Sequence, residues 1–106
     1  MTPVEALISV KELLSDPNKW SRESQAMSAN GRSVEPLSKR AVSWSVVGAV
    51  FKITNYDYPA FYLLKEIDEE AGDAIELYED THTHDEVISL LGRVVESELS
   101  KSTNND

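Results

Sequence analysis

Two histidines stand one residue apart in Asp80-Thr81-His82-Thr83-His84-Asp85-Glu86, and this is the one place where metal-ligand residue types crowd together. In an extended loop an alternating His82-x-His84 pair puts both rings on one side, with Asp80 or Asp85 as an oxygen donor for zinc or a similar ion. Against that, a closed zinc site takes four ligands and gathers them from separate elements. The competing reading is that Thr83 caps a helix and both rings sit in the turn before it. Other catalytic arrangements are missing from the pattern. There is no glycine-rich phosphate loop and no nucleophile elbow, and neither histidine is tied by a motif to a serine. Cysteine is absent, which removes thiolate catalysis, cysteine-ligated zinc and any disulfide framework. No catalytic residue is assigned and no cofactor is expected.

Charge carries a second kind of chemistry. Between Glu66 and Glu86 there are ten acidic residues and no Lys or Arg, within a chain of formal net charge −9. A balance of this sign argues against a phosphate-binding role, because neutralising a nucleic-acid backbone needs clustered Lys and Arg. Basic partners are favoured, including proteins that themselves bind nucleic acid, for which spaced carboxylates would stand in for phosphates. The candidate partner-binding residues are Glu66, Glu69, Glu70, Asp73, Glu76, Tyr78, Glu79 and Asp80. Tyr56, Tyr58, Phe61 and Tyr62 stand on the other side of this segment, and rigid rings beside carboxylates suit a protein-binding surface. The competing reading places Phe61 and one or two tyrosines in the core.

The elements that must position these residues follow from periodicity and punctuation. Ser38 to Thr54 is apolar on nearly every side: Ala41, Trp44, Val47 or Gly48 and Phe51 form one helical stripe, widened by Val42, Val46, Ala49, Val50 and Ile53. The β-branched valines would also suit a strand, but the run is long, starts with Ser38-Lys39-Arg40 and lacks strict alternation. The expectation is therefore a helix, which must be covered on more than one face. Gly48 inside it costs about 1 kcal/mol relative to alanine, so its presence signals close approach by a neighbouring backbone.

Around that element, Thr2-Pro3-Val4-Glu5 reads as a capping box opening a helix to about Ser15, with Val4, Leu7, Ile8, Leu14 and Val10 or the Lys11 stem as its stripe. Asp16-Pro17-Asn18 stops it. Asn30-Gly31 predicts a tight turn joining Ser24–Ser28 to Arg32–Val34 in a small hairpin anchored by Trp20. A third helix spans Ala60 to Ala71 and ends at Gly72. Ala74 to Tyr78 alternates over too few residues to separate a strand from a packed connector. Thr83-His84-Asp85-Glu86 opens a last helix with Val87, Ile88, Leu90, Leu91, Val94, Val95 and Leu99 along one side, and Gly92 opposite or at a contact.

Trp20, Asn30-Gly31-Arg32, Ala41-Val42-Ser43-Trp44-Ser45-Val46-Val47-Gly48-Ala49, and Asp80 followed by Thr83-His84-Asp85-Glu86-Val87 together resemble an uncharacterised family of small bacterial and phage proteins. The likeness spans most of residues 5 to 95. It departs from the family pattern at Glu79, where asparagine is usual, and at Ser45, where a small or cysteine-like residue is common. It implies a compact helical domain and supplies no catalytic residue.

The expectation is a mainly helical α+β domain over residues 1–99, about four helices packed around a central apolar helix with one small β-hairpin, and a frayed tail over 100–106. The longest apolar run, Val46 to Phe51, is far short of the roughly 20 residues of a membrane span. No basic stretch followed by an apolar core opens the chain, so a cytoplasmic location is expected. The leading functional expectation is a non-enzymatic acidic interaction module, an inhibitor of phage or mobile-element type among the candidates, with no direct contact to nucleic acid or membrane. The alternatives are a small metal-binding enzyme or metal-stabilised domain using His82, His84, Asp80 and Asp85, and a homo-oligomer joined through leftover apolar stripe on the last helix.

Overall fold

The computed structural model describes residues 1–103. Its elements are α1 (Pro3–Leu14), a 3-10 turn (Pro17–Lys19), β1 (Ala26–Ser28), β2 (Ala41–Trp44), α2 (Val46–Thr54), α3 (Ala60–Ala71), α4 (Ile75–Thr81) and α5 (His84–Thr103). The architecture is mainly helical with one two-stranded antiparallel ribbon, as the sequence predicts. The segment 74–81, undecided from sequence, is helical. The last helix continues past Leu99 to Thr103, and the expected fraying of 104–106 lies outside the described residues.

Helix starts follow local chemistry. Thr2 Oγ1 accepts from the Glu5 amide at 3.2 Å while the Glu5 carboxylate accepts from the Thr2 amide at 2.9 Å. Thr83 and Glu86 repeat the exchange at 3.2 and 2.8 Å. Each box satisfies two amide donors that a helix start leaves unpartnered. At the other end of α3, Gly72 takes a left-handed φ of 76° and returns its amide to Asp68 and Glu69.

The central stretch corrects the sequence reading. Its first part, Ala41–Trp44, is strand, and the helix begins only at Val46, capped by Ser45, whose Oγ accepts from the Gly48 amide at 3.2 Å. β1 and β2 pair antiparallel, Ala26 with Trp44 and Met27 with Ser43. The Asn30-Gly31 turn forms as expected, with the Ser28 amide donating to the Arg32 carbonyl at 2.8 Å and the Val34 amide to that of Ala26 at 3.0 Å. Arg32–Val34 pairs with β1 only through a Met27–Ser33 bridge, so β2 is the main partner that the sequence reading left out.

Gly48 does what its position promised. A Cβ there would fall 1.7 Å from the Gln25 carbonyl oxygen, which accepts the Ser45 amide at 3.2 Å. Only a glycine lets the ribbon lie so close to the first turn of α2. The rest of α2 is buried through Val46, Val47, Ala49, Val50 and Thr54, against α1, α3 and α4. α1 also lies along α5, and Leu7, Val10, Leu14, Leu63, Ile67, Leu90 and Leu91 close the core. Each such side chain contributes about 1.5–3 kcal/mol on burial.

Four apolar assignments differ. Ile8, Val42, Phe61 and Leu99 are exposed, Phe61 at 73%. α1 uses Ala6, Leu7, Val10 and Leu14, and α3 uses Ala60, Leu63 and Ile67, so Phe61 projects about 100° away from the buried row of its helix. It meets Phe51 edge-on at 5.9 Å, and Phe51 in turn stacks on Tyr56 at 4.6 Å.

Candidate functional site

The acidic segment divides into carboxylates that the fold uses and carboxylates that it leaves outward. On α3, Glu66 pairs with Lys101, Glu70 with Arg93 at 3.3 Å, and Glu69 with Lys65 at 3.7 Å. Asp68 Oδ1 accepts the Ile75 amide at 2.8 Å, so it serves the start of α4. Lys101 also meets the buried Glu98 at 3.2 Å, and Glu98 accepts from the Tyr62 hydroxyl at 2.7 Å. That hydrogen bond, with burial, pushes the Tyr62 hydroxyl up to about 12. Three members of the predicted binding set, Glu66, Glu69 and Glu70, are thus tied to cations of their own chain.

Glu79 is a correction. It is 2% exposed and cannot meet a partner. Its Oε2 accepts from the Trp20 indole N–H at 2.7 Å and from the Val46 amide at 3.0 Å, the first amide of α2. α4 turns this side chain inward because Ile75 and Glu79, four residues apart, share its buried face. Burial raises the Glu79 carboxyl to about 7, against the lowering effect of the Trp20 and Val46 hydrogen bonds. Trp20 is an anchor, as its sequence position suggests, yet it holds α4 and α2 as well as the ribbon.

The histidines are not brought together as ligands. A carbonyl oxygen only accepts, so His84 carries its proton on Nε2 and donates to Leu14 at 2.6 Å, closing the C-terminal end of α1. His82 donates from Nδ1 to the Tyr78 carbonyl at 2.8 Å, and its ring lies flat on Tyr78 at 3.6 Å. Asp80 and Asp85 are exposed; Asp85 Oδ1 stands 3.8 Å from His84 Nδ1, the one contact between members of the predicted ligand set among the described residues. Among the described residues no group of three or more His, Asp or Glu side chains is arranged to hold a metal ion.

What remains outward is a compact face on α4 and the loop before it. Asp73, Glu76 and Asp80 are exposed and have no ion-pair partner among the described residues. Glu76 and Asp80 lie four residues apart on one side of the helix. Between them Leu77 projects into solvent at 55% exposure. Tyr78, half-buried, borders the face with one side of its ring covered by His82. Leu77 was missed in the sequence, although its place one residue after Glu76 and three before Asp80 is the available signal.

No family model, no curated protein and no solved structure matches the chain. Among the described residues no helix is long and apolar enough to cross a membrane.

Proposed function

We propose that the chain is a non-enzymatic protein-interaction module that uses the outer face of α4 to bind a basic segment of another protein. The observation that supports this reading is the exposed Leu77 set among Asp73, Glu76 and Asp80, carboxylates without a cation among the described residues, while Glu66, Glu69 and Glu70 on α3 each have one. An apolar side chain ringed by unpaired charge is an interface in outline: the centre gives up water on contact and the rim steers a partner of opposite sign. The segment that fits carries Lys or Arg beside an apolar side chain that can cover Leu77.

Titration with a short cationic peptide containing Arg and Leu, followed by amide NMR, tests the reading. Shifts should concentrate on residues 73–81 and weaken as salt rises. Leu77→Ala, which changes no charge, should weaken binding by about threefold or more, and the D73N/E76Q/D80N variant by about tenfold with a flatter salt dependence. Equal binding by wild type and the triple variant overturns the proposal, and so does binding that ignores Leu77.

A further inference from the structure

The net charge hides a local excess of the opposite sign. From residue 19 to residue 52 the basic residues are Lys19, Arg22, Arg32, Lys39, Arg40 and Lys52, against Glu23 and Glu35 alone. Three of them line one groove of about 780 Å³ beside the ribbon: Arg32 just after the Asn30-Gly31 turn, and Lys39 and Arg40 just before β2. Ser28, Asn30 and Ser33 add polar atoms to its wall, and no carboxylate lines it. None of the three cationic side chains has an ion-pair partner among the described residues. The closest acid in sequence, Glu35, acts instead on the Tyr56 hydroxyl, which burial and that carboxylate both raise.

The backbone under these cations is fixed before any ligand arrives. Ser28 Oγ donates to Asn30 Oδ1 and accepts from the Arg32 amide at 3.2 Å, while the Gly31 amide donates to the Ser28 carbonyl at 3.0 Å. Gly31 holds a φ of +78°, a conformation that a side chain would strain. On the facing wall Ser38 organises the approach to β2: its Oγ accepts from the Arg40 amide at 3.1 Å and its carbonyl from the Ala41 amide at 3.1 Å. Since β1 and β2 are paired, the backbone from which Arg32, Lys39 and Arg40 project is held in place.

We propose that this groove binds a small phosphate-bearing anion, a phosphate ester or diphosphate, held by Arg32, Lys39 and Arg40. Two guanidinium forks match the paired oxygens of a phosphate group, and the ammonium adds a point charge. The volume lies in the range of small-molecule sites. A compact anion is favoured over a polynucleotide for two reasons. The net charge of −9 repels a long polyanion, whereas a short one inside the groove lies within about a Debye length of the cations, roughly 8–10 Å. No aromatic ring lines the groove on which a base would stack.

Inorganic pyrophosphate is the probe. Amide NMR should show saturable shifts at Arg32, Ser33, Arg40 and Val42, leaving α4 and α5 unmoved, and Arg32→Gln with Arg40→Gln should lower the affinity by about tenfold or more. The α4 variant D73N/E76Q/D80N should bind pyrophosphate as wild type does, which separates this site from the α4 face. Sodium chloride at matched ionic strength producing the same shifts, or unchanged affinity in the folded double variant, overturns the proposal. A single-stranded oligonucleotide binding more tightly than pyrophosphate overturns the choice of a small ligand.

Discussion

Glu79 is held between opposing influences. Two N–H groups, from Trp20 and Val46, favour its ionised form, and its loss of water favours the neutral one. Desolvation prevails and the carboxyl titrates near 7 instead of 4.5. Between those pH values the folded protein holds a proton that the unfolded chain has lost, so stability falls as pH rises through the window. The ionisation cost, absent below about 4.5 and complete above about 7, is on the order of 3 kcal/mol. Glu79→Gln keeps an acceptor for Trp20 and Val46 and cannot ionise, so wild type should lose melting temperature relative to it from pH 5 to pH 8. The indole N–H resonance of Trp20 should titrate in the same window, and that of Trp44, which donates to Pro36, should stay put. A flat difference between the two proteins would show that Glu79 is already ionised at pH 5. Glu79→Ala leaves the buried Val46 amide and the part-buried Trp20 indole N–H unpartnered and should cost about 2–5 kcal/mol at neutral pH, read by denaturant unfolding.

At the scale of elements, two glycines inside helices give opposite expectations. Gly48→Ala drives a methyl group into the Gln25 carbonyl, which is backbone and cannot swing aside, so β1 and α2 must separate. A loss of about 2–4 kcal/mol is expected, with an overpacked core and a broken ribbon contact combining. Gly92 faces only the end of the Lys11 side chain, 3.7 Å from where a Cβ would stand. Gly92→Ala in α5 should therefore stabilise by about 0.5–1 kcal/mol through helix propensity and unfolded-state entropy. Thermal melts of the two variants check both signs.

The same elements show which parts of the fold can be read from sequence. Thr2, Thr83, Gly72 and the Asn30-Gly31 turn act through bonds within a few residues of themselves, and the local pattern contains everything they need. Gly48 was legible as a close approach, though not what approaches. Ala41–Trp44 was not legible as strand, because four residues are too few for alternation to stand out in an apolar run. Ser45 is a cap without the acidic residue three positions on that marks Thr2 and Thr83. Glu79 was least legible of all: the indole that claims it lies 59 residues away, and a carboxylate in an acidic run gives no local sign of turning inward. The candidate site was legible as a charged region only, since which carboxylates find cations depends on how α3 lies along α5.

Taken as a whole, the molecule has cations at the ribbon groove and, on α4 and the loop before it, carboxylates with no ion-pair partner among the described residues. Carboxylates without partners repel one another and the rest of a chain of charge −9. If Asp73, Glu76 and Asp80 are kept for a partner, they weaken the isolated fold. The D73N/E76Q/D80N variant should then melt above wild type in low salt, and the gap should close near about 0.5 M salt, where the Debye length falls to roughly 4 Å. Replacing carboxylates that have partners should do the reverse: Glu66→Gln, which strips Lys101 of one of its two acids, should lower the melting temperature under the same conditions. Both shifts are read in one set of melts across salt concentration. A triple variant no more stable than wild type at low salt would mean that those three side chains are compensated within the fold, and α4 would then offer a partner the apolar contact of Leu77 and no free charge.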